Sequence, residues 1–173
     1  GYVGTANAVL LSQHNEVTCF DLDVSKSINL INGISPIEDK DISEYLSSKK
    51  LNLKSVESFP TEVDNFDFAI IATPTNYDIE TNKFNTSSIE ESLESIQTSK
   101  SNPTVIIRST IPVGYVNKVQ KKFPDLEIIF VPEFLREGRA LKDSLYPSRI
   151  VIGSHSEKGK GFAKLLKDAS LDK

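Results

Sequence analysis

The chain is poor in cysteine. Its 173 residues hold one, Cys19, so no intramolecular disulfide can form, which suits a reducing compartment. It lacks an excess of basic charge as well: 20 Lys and Arg stand against 24 Asp and Glu, a formal net charge of −4. The basic residues are scattered, apart from short pairs such as Lys49-Lys50 and Lys121-Lys122. A mildly acidic chain of this kind is a poor ligand for polyanionic nucleic acid. No apolar run approaches the roughly 20 residues of a membrane span, and the first residues lack the basic start of a signal peptide. These absences set the expectation of a cytoplasmic protein with neither nucleic acid nor membrane as a partner. No metal site is read in the chain.

What is present fits a globular protein. Hydrophobic residues make up 38% and charged residues 25% of the chain, both ordinary values, and the length suits one domain or slightly more. Five short apolar segments stand out: VTCF (17–20), FAIIA (68–72), TVIIRS (104–109), EIIFV (127–131) and RIVIG (149–153), with LNLKSV (51–56) a weaker sixth. They are too short for helices, and several are apolar at consecutive positions, as strands buried on both faces of a parallel sheet are. Helical patterns lie between them: TANAVLLSQH after Gly4, VSKSINLIN (24–32), IEESLESIQTS (89–99), YVNKVQKKF (115–123) and KGFAKLLKDA (160–169). Strand and helix alternating at this spacing predict an α/β fold, a Rossmann-like, doubly wound, mainly parallel sheet with helices on both faces. The segment 33–50 and the stretch 73–88 read as long polar loops, the kind that build sites at strand ends.

The chain opens on Gly1-Tyr2-Val3-Gly4 followed by an apolar helical run. This is the second half of the G-x-G-x-x-G turn that joins a strand to a helix in dinucleotide-binding folds. In that reading Gly1 lets the backbone approach a pyrophosphate, Gly4 lets the helix pack close to the sheet, and the helix N-terminus offers N–H groups to the phosphates. Asp21 ends the next apolar segment, about 20 residues beyond where the first glycine of the turn would stand, the place of a carboxylate that binds ribose hydroxyls and favours NAD over NADP. Asp23 is a competitor less directly placed, and Lys26 stands close to the same ligand. The preceding strand is expected N-terminal of Gly1 in a longer parent protein.

Three later segments repeat one arrangement. FAIIA leads into Thr73, Pro74 and Thr75; TVIIRS leads into Ser109, Thr110, Pro112 and Gly114; EIIFV leads into Glu133 and Glu137. A hydroxyl at a strand end can position a water or a substrate oxygen. No histidine lies near Thr110 in sequence to make it a nucleophile. Glu133 and Glu137 would share a face if their segment turned helical, one acting as acid or base and the other orienting a ligand.

Taken together, GYVG, FDLD, NGISPIEDKDI, IIATPTNYD, RSTIPVG and VPEFLREGRALKDSLYPSRIVIG resemble the UDP-glucose/GDP-mannose dehydrogenase family, with the motifs in the same order from residue 1 to about residue 165. The resemblance implies oxidation of the C6 alcohol of a nucleotide sugar to a carboxylate, in two steps with two NAD⁺, through a thiohemiacetal and a thioester on a cysteine. It implies NAD contacts at Gly1, Tyr2, Val3, Gly4, Asp21, Lys26, Thr75, Thr110 and Glu137. It implies a sugar-binding loop at Glu133, Phe134, Leu135, Arg136 and Glu137. Thr110 and Glu133 match residues that order the water or the proton transfers. The strings lean toward UDP-glucose among the UDP-sugars, with UDP-N-acetylmannosamine and GDP-mannose as alternatives. A nucleotide-binding module without catalysis is the reading from another class. The family's cysteine motif has no match here, and Cys19 reads as a small core residue. The chain is therefore expected to be the NAD-binding portion of a longer homodimeric enzyme, with the dimer contact and sugar domain in regions outside 1–173.

Overall fold

The computed structural model describes residues 1–59, 66–80 and 82–172. In chain order the elements are α1 (Tyr2–Leu11), β1 (Val17–Phe20), α2 (Val24–Ile31), α3 (Lys40–Ser48), β2 (Leu53–Val56), β3 (Phe68–Ile71), β4 (Tyr77–Asp78), β5 (Lys83–Phe84), α4 (Ser87–Gln97), β6 (Thr104–Ile107), α5 (Tyr115–Lys122), β7 (Ile128–Phe130), α6 (Ala140–Leu145) and α7 (Glu157–Ala169). They divide into two compact units. The first comprises Gly1–Phe59, Phe134–Val151 and Lys160–Lys173, the second Pro60–Glu133 and Ile152–Gly159. The fold is α/β, with parallel strands flanked by helices. Among the described residues no helix is long and apolar enough to cross a membrane.

In the first unit β1 and β2 pair in parallel, from Val17 beside Leu53 to Phe20 beside Val56. Helix α1 is the unit's core. Every residue from Thr5 to Leu11 is buried, so the helix packs on several sides at once, against β1, α3 and α6. A helix buried all round needs its polar side chains satisfied locally. The Thr5 hydroxyl donates to the Gly1 carbonyl at 3.0 Å, and the Asn7 amide donates to the Val3 carbonyl at 2.8 Å, while the buried Asn7 Oδ1 has no partner among the described residues. α2 begins at an Asp23 cap, whose carboxylate accepts from the Ser25 backbone N–H at 3.1 Å.

The segment 33–50, expected to be a loop, contains α3. Its N-cap is Asp39, only 4% exposed. Asp39 Oδ1 accepts from the N–H groups of Asp41 and Ile42 at 3.0 and 3.1 Å, and Oδ2 accepts from the Leu141 N–H at 3.3 Å, in the first turn of α6. One carboxylate thus serves two helix N-termini, where backbone donors lack intrahelical partners and negative charge is favoured.

In the second unit the strand order is β3-β6-β7, all parallel. β6 is central and wholly buried: Val105, Ile106 and Ile107 are 0% exposed, as a strand covered on both faces must be. α4 packs on β3 and buries Ile89, Leu93 and Ile96, and α5 packs on β7 and buries Tyr115 and Val119. Thr86 is the N-cap of α4 and makes no side-chain cap bond; Asn85 before it accepts from the Ser87 N–H at 3.0 Å. Part of the expected loop 73–88 is the short antiparallel pair β4 and β5. The apolar segment 149–153 is irregular. It makes one backbone bond to the sheet, from the Gly153 N–H to the Phe130 carbonyl at 2.9 Å. A Cβ at Gly153 would lie 2.8 Å from that carbonyl oxygen, so only glycine permits the approach.

Candidate functional site

The first unit holds the glycine turn and the strand-end carboxylate. Helix α1 starts at Tyr2 with Gly1 as its N-cap, which supplies no capping side chain. The first intrahelical bond runs from the Thr5 N–H to the Gly1 carbonyl. Asp21 leaves β1 and turns back toward this end, so that its Oδ2 lies 3.4 Å from the Gly1 nitrogen. Its Oδ1 accepts from the Asp23 N–H at 3.0 Å, which fixes the carboxylate's orientation. Lys26 Nζ stands 3.9 Å from Asp21 and 3.7 Å from Asp23. Asp23 is committed elsewhere: as the cap of α2 it accepts from the Ser25 hydroxyl and N–H, and that bond holds its carboxyl below the ordinary range. Asp21 is the carboxylate that faces the glycine turn.

These groups fit an adenine dinucleotide. A helix N-terminus without a side-chain cap suits a pyrophosphate, and a carboxylate beside it suits vicinal ribose hydroxyls. Cys19 lies in β1, where burial pushes its thiol up to about 11. It is protonated at neutral pH and has none of the thiolate character of a nucleophile.

The second unit gathers the other candidates at one edge of its sheet. Thr75 follows β3, Thr110 follows β6 and Glu133 follows β7, and these strands are adjacent and parallel. All three residues therefore leave the carboxyl end of one sheet, where ligands bind in open α/β folds. The hydroxyls nearby have a different task. Ser109 Oγ donates to the Thr73 carbonyl at 2.7 Å, and Ser88 Oγ reaches the Thr73 hydroxyl at 3.0 Å. These bonds lock the loop exits together, and the hydroxyls of Thr75 and Thr110 take no part in them.

The segment 131–136 is irregular and leads into a turn at Glu137 and Gly138, where φ is 75°. Glu133 and Glu137 consequently do not share a helix face. Pro132 and the left-handed glycine break the expected helix at both ends. In the first unit Arg136 is gripped by Asp143 of α6: its Nε donates at 3.0 Å, its Nη2 at 2.6 Å and its backbone N–H at 3.0 Å. The fork holds the Asp143 carboxyl below its ordinary range and the Arg136 guanidinium above its own. Phe134 is 51% exposed, with the Arg149 guanidinium 5.1 Å from its ring centre. Leu135 is half-buried and Glu137 exposed.

Arg108 was not singled out among the candidate residues. It closes β6 and is 8% exposed. Its N–H donates to the Ile71 carbonyl at 2.8 Å, which pins its backbone to β3. Its Nε has no hydrogen-bond partner among the described residues. Burial pushes the guanidinium down from its ordinary range, and the Glu133 carboxylate acts against that shift. The signal in the sequence was a lone charge at the end of three buried apolar residues.

A helix headed by glycine, a strand-end acid beside it and parallel strands with flanking helices define a Rossmann-type dehydrogenase domain. Residues 1–168 match the NAD binding domain of the UDP-glucose/GDP-mannose dehydrogenase family, and the chain belongs to that family. It is 44% identical to the UDP-glucose 6-dehydrogenase of Streptococcus pneumoniae, over 99% of this chain and 45% of that protein. It is 47% identical to the Campylobacter jejuni enzyme of the same name, over 95% of this chain and 42% of that protein. Among solved structures, a UDP-glucose dehydrogenase from Pyrobaculum islandicum superposes with a TM-score of 0.82 at 27% identity, over 99% of this chain and 43% of that one. A GDP-mannose dehydrogenase from Pseudomonas aeruginosa shares the fold, with a TM-score of 0.85 at 24% identity, over 99% of this chain and 43% of that one. The chain spans less than half the length of the relatives it matches.

Proposed function

We propose that this chain is the NAD-binding portion of a UDP-glucose 6-dehydrogenase, which oxidises UDP-glucose to UDP-glucuronate in two successive two-electron steps. The observation that carries the reading is a strand-end carboxylate, Asp21, oriented by the Asp23 N–H at 3.0 Å, together with the glycine-headed start of α1, which has no side-chain cap. It supports a dinucleotide with free ribose hydroxyls at that end. The nicotinamide, when bound, accepts the hydride lost from C6 in each oxidation. Gly1, Tyr2, Val3 and Gly4 hold the pyrophosphate, Asp21 the ribose, and Lys26, Thr75, Thr110 and Glu137 complete the cofactor contacts. The loop Glu133, Phe134, Leu135, Arg136 and Glu137 holds the sugar nucleotide.

Thr110 and Glu133 order the water whose oxygen becomes part of the carboxylate, and the Glu133 carboxylate takes up a proton that it loses. A carboxylate and a hydroxyl at adjacent strand ends can share that task. The covalent thioester needs a reactive cysteine from outside this chain, because Cys19 is a half-buried strand residue whose thiol is pushed up to about 11. A strand before Gly1, a helix and sugar domain after residue 173, a homodimer formed through those regions and a cytoplasmic location belong to the same proposal.

The test is turnover of the complete protein with NAD⁺ and each sugar nucleotide in turn. Two NADH formed per UDP-glucose, with UDP-glucuronate identified by mass, is the expected result. Turnover confined to UDP-N-acetylmannosamine or GDP-mannose would assign the alternative substrate. NAD⁺ binding without turnover of any of them would make the protein a nucleotide-binding module.

A further inference from the structure

Arg108 and Glu133 leave neighbouring strands at the same edge of the sheet. Ile107 lies opposite Phe130 in the β6–β7 ladder, and the Val131 N–H donates to the Ile107 carbonyl at 2.9 Å, one step beyond the paired residues. That register sets Arg108 beside Val131. Val131 precedes Pro132, which keeps its backbone extended. Glu133 follows two residues on, and its carboxylate acts on the Arg108 guanidinium. The offset along the strands is about 7 Å, a distance the long arginine side chain can span. The guanidinium is buried, its Nε has no partner among the described residues, and the Glu133 carboxylate is the charge that acts on it.

A buried cation without a full set of partners is costly, and an apolar residue of similar volume at such a site is commonly as stable or more so. Packing therefore does not account for Arg108. We propose that Arg108 is a positioning residue for Glu133, its buried guanidinium holding the carboxylate in place at the carboxyl edge of the β3-β6-β7 sheet. The catalytic consequence rests on the role proposed above for Glu133; the pairing itself does not.

The test is a double-mutant cycle in the complete protein with Arg108→Met, Glu133→Gln and the double variant, read first as unfolding equilibria. The expected result is non-additivity of about tenfold in the unfolding constant. Strict additivity would overturn the proposal, and Arg108→Gln, which also removes the cation, carries the cycle if the methionine variant fails to fold. The second reading is kinetic. Arg108→Met should lower kcat at least tenfold, with the Kd for NAD⁺ unchanged in calorimetry, and Arg108→Lys should recover most of the loss. Wild-type kcat in Arg108→Met, or a loss confined to NAD⁺ affinity, would overturn the proposal. Coupling in the unfolding cycle, together with a wild type that turns over no sugar nucleotide, would keep the pair and sink the proposed activity instead.

Discussion

The two units bury opposite charges to a similar depth and treat them differently. In the first, Asp39 is 4% exposed and accepts from three backbone N–H groups at the starts of α3 and α6. In the second, Arg108 is 8% exposed and leaves its Nε without a partner among the described residues. A buried charge with its hydrogen bonds satisfied is an element of structure, and removing it strands the donors it served. A buried charge left short of partners is a burden on stability, kept where chemistry needs it. The contrast separates a residue that holds the fold from one that serves the site.

The largest expected effect falls on the structural side of this contrast. Asp39→Ala removes the cap of two helices and leaves buried donors unpaired, a loss of about 2–4 kcal/mol; denaturant unfolding measures it. Arg108→Met in the same assay should cost less, because relief from burying an ill-partnered guanidinium offsets what its pairing with Glu133 contributes. Equal losses in the two variants would break the comparison.

Asp21→Asn comes next. The ribose loses a charged acceptor, which costs about 1.5–3 kcal/mol of NAD⁺ binding, and unchanged affinity in calorimetry would remove Asp21 from the cofactor site. Thr110→Ala in the complete protein should lower kcat by about tenfold, the worth of one well-placed hydrogen bond, with little change in the Michaelis constant; a change in that constant alone would make Thr110 a binding residue.

The smallest effect concerns the Arg136–Asp143 fork, whose arginine is 65% exposed and therefore screened by solvent. Asp143 has its carboxyl lowered from 3.8, first by the Arg136 hydrogen bond. Its contribution is fully present above that ordinary value and is lost as the pH falls through the lower folded one. Arg136, raised further above its ordinary range by its hydrogen bond to Asp143, stays protonated throughout this range. The stability difference between wild type and Asp143→Asn should therefore be constant near neutrality and shrink in acid below about pH 4. A difference that persisted unchanged in strong acid would show that the fork contributes through packing alone.

Much of this was legible in the sequence, for identifiable reasons. The strands at 17–20, 68–71, 104–107 and 128–130 are short apolar runs of the kind parallel sheets favour, although only β6 is wholly buried. The separation of Gly1 from Asp21 was readable because a βαβ turn fixes it. α3 was hidden because it buries one apolar residue, Ile42, and is held by a cap rather than by a hydrophobic stripe. The run 149–153 looked like a strand because apolar spacing cannot distinguish a ladder from a single bond at Gly153. Glu133 and Glu137 suggested a helix because their spacing is helical, but Pro132 before them and the left-handed Gly138 after them decided otherwise. Arg108 escaped notice because a charge closing an apolar run normally marks the surface, and only the fold reveals that this one is covered.

One consequence follows from the thiol in β1. Alkylating reagents attack thiolate, and a group whose proton is lost only near pH 11 offers almost none of it under mild conditions. Iodoacetamide added briefly at neutral pH should pass over this portion of the polypeptide, so any rapid modification that abolishes activity in the complete enzyme reports on a sulfur elsewhere, with no background from Cys19.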